Sequence, residues 1–351
     1  MTSCACIHRR GHRGGGFARV EAAAIGFVVV VGVALMLAVS PSGRRAAMVN
    51  RDLANLRQIG AWTFAYGNDY EDVHPSFTSA PNSQWPALRP TGFPIPDAAK
   101  QAIDIIRRRT GRVTFPLPGN WIPHVLYTHL VLADYLDRQL PDSFLVSSGD
   151  RYRMNWLDDP INKHDLGFWQ PFQQPTPGSG PVPPSQKRWA YSSSYQTPPA
   201  FYDEGQNHWS GRRPVLSQGS HNSYYVPSGV VLRGQNMSGI AFPGQKVLFF
   251  DNGSWYTSRR AQYYAVETST ASALMCDGGA ALRRTAEANQ GWRPVRPWAA
   301  TPTRFIYQPR PWEPATANGQ LSEQLIGYYR WTRGGIMGRD FDGPEIDTGQ
   351  R

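Results

Sequence analysis

The rhythm of hydrophobic and polar positions changes several times along this chain, and each change predicts a different element. Residues 22–39 carry no charge at all. As a helix this run would be about 27 Å long at ~1.5 Å per residue, close to the ~30 Å hydrocarbon core of a bilayer. Past Pro41 the pattern becomes amphipathic: Val49, Leu53, Leu56, Ile59 and Thr63 recur at helical spacing and stop in "GNDYED". Pro41 has no amide to give and clashes with a preceding turn, so a kink or local melting is expected there. A further amphipathic helix is predicted over 123–140, "PHVLYTHLVLADYLDRQL", with Val125, His129, Leu132, Leu136 and Leu140 on one face.

The C-terminal half changes to short strand-like runs: "RWAYSSSY", "SYYVPSGVVL", "KVLFFD", "QYYAVE" and "SALMCD". Asp-Asn-Gly at 251–253 and Asp-Gly-Gly at 277–279 supply turn chemistry between them. Two stretches interrupt this order. Residues 76–120 are loop-rich around "DAAKQAIDIIRRRTGR", whose Arg107, Arg108, Arg109 and Arg112 suit a solvated helix C-terminus. Residues 169–189 are too rich in Pro and Gly for regular structure. The expected fold is α+β: an N-terminal transmembrane and stalk helix packed on an antiparallel β-sheet domain with long loops.

Composition sharpens this picture. The 351 residues include 30 Pro, 34 Gly, 12 Trp, 16 Tyr and 15 Phe, an aromatic content at odds with disorder. The net charge of +10 leaves nucleic acid, anionic lipid and acidic polysaccharide open as partners and selects none of them. Cys4 and Cys6 precede the apolar run and Cys276 stands alone beyond it, most simply as a small buried hydrophobe.

Chemistry is sparse. No GxSxG elbow, P-loop, CxxC pair or HExxH is present, and His124 and His129 lie five apart, off the spacing of a zinc helix. His129, on the apolar stripe, fits a core histidine. The tail "RDFDGPEID" sets Asp340, Asp342 and Asp347 around Gly343; it is a weak calcium candidate, because the loop pattern is incomplete and Pro344 interrupts it. No cofactor is implied, and nothing singles out a nucleophile and its base.

One polar residue at the mouth of the apolar run asks for an explanation. Glu21 needs a cation near it. Cleavage between Gly16 and Phe17 would create one, an α-amino group four residues away, on the same subunit or its neighbour. The motif "GFARVE" before an apolar helix resembles the type IV prepilin and type II secretion pseudopilin signal. "NLRQIG", "VLFFDNG" and "SALMCDGG" are similar to segments of a large bacterial pseudopilin-like family with that N-terminal signal, although Arg19 and Glu267 depart from its pattern. The resemblance implies a leader over 1–16, an assembly helix over 17–41, a stalk helix over 42–72 and a globular α+β domain over 73–351. It also implies processing at Gly16 and Phe17 by a prepilin peptidase and methyltransferase, and assembly through Glu21 with other pilin-like subunits. On this reading the protein is a non-enzymatic fibre subunit in the inner membrane, single-pass, its C-terminal domain in the periplasm or outside the cell, touching exported cargo or polysaccharide. The alternative is a membrane-anchored envelope module that binds polysaccharide or DNA through its aromatic and arginine residues.

Overall fold

The computed structural model describes residues 21–28, 40–136, 140–161, 187–206, 212–217, 220–256, 260–296 and 301–346. The chain divides into two compact units, Met1–Met48 and Val49–Arg351. In the first unit, residues 21–28 are helical (α1), with every side chain exposed. A new helix, α2 (Pro41–Asp69), starts beside Ser40, whose Oγ accepts the Gly43 amide at 3.0 Å. Pro41 is thus the first helical residue, where its missing N–H costs nothing.

The large unit is built round a four-stranded antiparallel sheet in the order β1 (Tyr195–Gln196), β4 (Val247–Asp251), β7 (Thr270–Met275), β8 (Ala280–Arg284). β4, "VLFFD", is buried at every position, which is why its first four residues read as an unbroken apolar run. β7 and β8 form a hairpin at Asp277-Gly278-Gly279. Gly278 takes φ +88°, open to glycine, and Asp277 Oδ1 accepts the Gly279 amide at 2.8 Å. Three two-stranded pairs complete the β structure among the described residues: β2 (Leu216–Ser217) with β3 (Tyr224–Tyr225), β5 (Gly253–Ser254) with β6 (Gln262–Tyr263), and β9 (Arg304–Tyr307) with β10 (Glu323–Ile326).

From Val49 onward α2 packs on this sheet, as its stripe demands: Leu56, Ile59 and Thr63 are buried. Gly60 sits directly on Leu274 of β7, where a Cβ would come within 2.8 Å of a leucine methyl. Asp52, on the same face, accepts from Ser147 Oγ, Ser148 N, Ser148 Oγ and Tyr256 Oη at 2.5–2.9 Å, fixing the helix to the loop before α4 (Arg151–Asp158). The other long helix, α3 (Pro94–Thr110), buries Ala98, Ala102, Ile103 and Ile106 and ends at Gly111 in the left-handed conformation. Its three terminal arginines are engaged rather than free: Arg107 donates to the Phe115 carbonyl, Arg108 pairs with Asp104 and Arg109 with Asp134.

Three sequence expectations are corrected. The architecture is mixed α and β with several small antiparallel sheets, but no N-terminal apolar helix packs on a sheet; the helix that does so is α2, and its docking face includes the buried polar Asp52, Asn55 and Thr63. The single-pass inner-membrane placement is corrected as well, because among the described residues no helix is long and apolar enough to cross a membrane. The described helical part of the apolar run, 21–28, reaches only about 12 Å at ~1.5 Å per residue; residues 29–39 lie outside the described residues. Finally, the helix expected over 123–140 is two 3₁₀ segments, Pro123–Val125 and Thr128–Asp134. Leu126, Leu130 and Ala133 are buried along with the predicted stripe. With Leu126, Leu130 and Ala133 buried as well as the stripe, little of the segment faces solvent to enforce a 3.6-residue period, so tighter winding satisfies the core equally well.

Candidate binding cleft

Four separate chain segments bring tryptophan and arginine together on the large unit. Trp121 precedes the first 3₁₀ turn and meets the Tyr127 ring edge-on at 4.9 Å. Arg188 and Trp189 open the 3₁₀ segment Arg188–Tyr191. Asn222 and Ser223 lie in the turn leading into β3, and Arg310 follows β9. They line a cavity of about 130 Å³.

The stacking inside it is specific. The Arg310 guanidinium lies 4.4 Å from the Trp189 ring centre, and Arg188 lies 5.0 Å from Trp189 and 5.5 Å from Trp121. Cation–π contact of this kind holds a guanidinium by its face. Burial first, and then the charge of Arg310, lowers the Arg188 pKa; Arg310 is lowered mainly by burial. Burial likewise pushes the Tyr127 hydroxyl up to about 12 against the pull of Arg188, Arg153 and Arg310. Its oxygen lies close enough to Arg188 and Ser192 to interact with both.

A buried polar floor holds these groups in place. Glu313 accepts from His221 Nε2 at 2.8 Å, from Asn222 Nδ2 at 2.8 Å and from the Arg310 amide at 2.9 Å. Burial works to raise the Glu313 carboxyl, but the His221 charge and hydrogen bond, the Arg310 amide and Arg153 outweigh it and hold it down at about 2. Arg153 in turn spans Asp150 and Ser192, and Arg330 spans the His221 carbonyl, Gln196 and Tyr263.

The residues singled out from sequence do not converge here. Gly16 and Phe17 lie outside the described residues, and Glu21 is exposed on α1. Asp340 is buried and bonded to Lys246 Nζ, Thr332 Oγ1 and the Val247 amide at 2.6–2.9 Å; Asp342 is exposed beside Arg283; Asp347 lies outside the described residues. No group of three potential metal-ligating residues is found among the described residues. Asp340 carries a structural ion pair with Lys246.

Cys276 is buried, as expected, with its thiol pushed up by burial. His129 is a core histidine, joined by His74 and His124, and burial brings all three down to about 3. A second acidic centre, Asp52 with Asp251, is also structural: Asp52 is saturated by four donors, and Asp251 accepts from Trp255 Nε1 and the Gly253 amide, with burial and the Asp52 charge raising its carboxyl.

Sequence spacing had no means of finding the cleft, because its parts come from positions near 121, 188, 222 and 310. The only local trace is arginine beside tryptophan, in "KRW" at 187–189 and "RPW" at 310–312. No family model, curated protein or solved structure matches this chain.

Proposed function

We propose that this chain is a pilin-like subunit, cut by a prepilin peptidase between Gly16 and Phe17 and assembled through its N-terminal segment into a pseudopilus or type IV pilus-like fibre. Its work is mechanical, and the large unit is the part displayed. The proposal is carried by the "GFARVE" motif together with the exposed apolar turn that begins at its glutamate: Glu21 is exposed on α1, and Ile25, Phe27 and Val28 are all 65% exposed or more. Apolar side chains left in water lose on the order of 1.5–3 kcal/mol each relative to burial. Packing against like helices would cover them and bring each Glu21 to a neighbour's new amino terminus.

Intact mass and N-terminal sequencing of the protein from cells with and without the peptidase tests this. The expected product begins at methylated Phe17 and appears only with the enzyme; a chain that keeps its leader in both strains sinks the proposal. Glu21→Ala is expected to leave processing intact but to remove crosslinkable multimers, and multimers at wild-type yield would show that Glu21 has no registering role.

A further inference from the structure

We propose that the groove between the C-terminal end of α2 and α3 binds an uncharged polysaccharide chain, one sugar ring laid against Tyr70 and the chain crossing Gln101 and Arg108. The groove supports this independently of how the N-terminus is processed.

Two hollows meet there. One, of about 280 Å³, is lined by Tyr66, Tyr70 and Asp134 among others; the next, of about 510 Å³, by Asn82 and Asp104 among others. Gln101 and Arg108 line both, so the hollows are two compartments of one elongated site. Together they fall within the ~300–1,000 Å³ of small-ligand sites. An elongated site with two compartments suits a chain of repeating units.

The aromatic part is held rigid. Tyr70 stacks on Tyr66 with ring centres 4.3 Å apart, Tyr135 meets Tyr66 edge-on at 6.1 Å, and Tyr135 Oη donates to Asp69 at 2.5 Å. Tyr70 is nevertheless 52% exposed. The electron-rich face of such a ring attracts the polarised C–H bonds of a pyranose. The polar groups beside it suit hydroxyls. Gln101 Oε1 accepts the Thr78 amide at 2.7 Å, which sets the side-chain amide so that Nε2 is the half left to donate. Arg108 spends Nε on Asp104 at 2.7 Å while its side chain stays 47% exposed, leaving its terminal nitrogens to donate as well. The Tyr70 hydroxyl and the Asn82 amide can both donate and accept, as sugar hydroxyls do.

Charge decides between sugar classes and against nucleic acid. Asp134 lines one compartment and pairs with Arg109; Asp104 lines the other and pairs with Arg108. Each arginine is already neutralised, so a uronate or phosphate chain would find no unpaired cation and would meet two carboxylates. A neutral chain meets neither penalty.

Calorimetric titration of the full-length protein with cellohexaose, chitohexaose, xylohexaose and maltohexaose, beside an oligogalacturonate and a short oligothymidylate, tests this. At least one neutral chain is expected to bind saturably, with an affinity that hardly changes from low to high salt. Tyr70→Ala is expected to keep the unfolding midpoint and weaken binding roughly tenfold, the scale of stacking on one aromatic ring. Tyr70→Phe keeps the ring and is expected to stay within about threefold of the parent. Gln101→Glu keeps an oxygen for the Thr78 amide but removes the free donor, and is expected to weaken binding about three- to tenfold. The proposal is overturned if none of the neutral chains binds, if Tyr70→Ala and Gln101→Glu both bind as the parent does, or if either polyanion binds more tightly than every neutral chain and is lost with the same two substitutions.

Discussion

Acidification is expected to leave this protein folded to about pH 4 and then unfold it within roughly one further pH unit. The outcome depends on which state holds more protons. His74, His124 and His129 sit near 3 when folded against 6.5 in the unfolded chain, because burial disfavours the imidazolium. Below about pH 6.5 the unfolded chain therefore takes up three protons that the folded chain refuses. Each proton of difference is worth about 1.4 kcal/mol per pH unit. Two buried carboxylates oppose this. Asp203 is raised to about 6, mainly by burial, and Asp251 is raised well above its ordinary value of 3.8 by burial and by Asp52. Both hold protons in the fold that the unfolded chain releases above about pH 3.8.

Between pH 6 and 4.5 Asp203 offsets up to one of the three protons and Asp251 up to one more, a loss of about 1.4–2.8 kcal/mol per unit. Below pH 3.8 the carboxylates are protonated in both states and their opposition ends. Glu313, held at about 2 in the fold against 4.5, now adds to the histidines. The slope steepens to about four protons, on the order of 5 kcal/mol per unit, against a typical total of about 5–15 kcal/mol. Urea unfolding at pH 7, 5.5, 4.5, 4 and 3.5 measures this directly. A uniform three-proton slope from pH 6.5 would mean that Asp203 and Asp251 are ionised in the fold. A flat profile to pH 3.5 would mean that the histidines charge in place.

What the amino-acid pattern discloses about this fold is what local chemistry decides. The α2 stripe, the Asp277-Gly278-Gly279 hairpin, the apolar run of β4 and the burial of Cys276 and His129 each follow from periodicity or turn preference within about a dozen residues. The buried charges follow from no such rule. Asp52, Arg153, Lys246, Arg330 and Asp340 read along the chain as surface residues, since such side chains are almost never fully buried unless paired. Several of their partners lie far along the chain: Lys246 and Thr332 are 86 positions apart, Asp52 and Ser147 95, and Arg330 and the His221 carbonyl 109. The cleft was hidden for the same reason.

Asp340 is where that misreading has its largest energetic consequence. Lys246 Nζ is fully buried and bonds to Asp340 Oδ2 at 2.9 Å and Thr332 Oγ1 at 2.6 Å, while Asp340 also serves the Val247 amide at 2.8 Å at the start of β4. Asp340→Ala removes the anion and leaves the ammonium in place, and breaking one side of a buried pair typically costs about 3–5 kcal/mol. The double replacement Asp340→Leu with Lys246→Met removes both charges and is expected to be more stable than Asp340→Ala, because no charge is stranded. Adding calcium or a chelator should move none of the three unfolding curves, since the Asp340 oxygens are spent on protein donors. Denaturant unfolding of the parent and both variants decides the matter. An Asp340→Ala protein within about 1 kcal/mol of the parent would show that Lys246 finds water instead, and a calcium-dependent midpoint lost on Asp340→Ala would return the tail to metal binding.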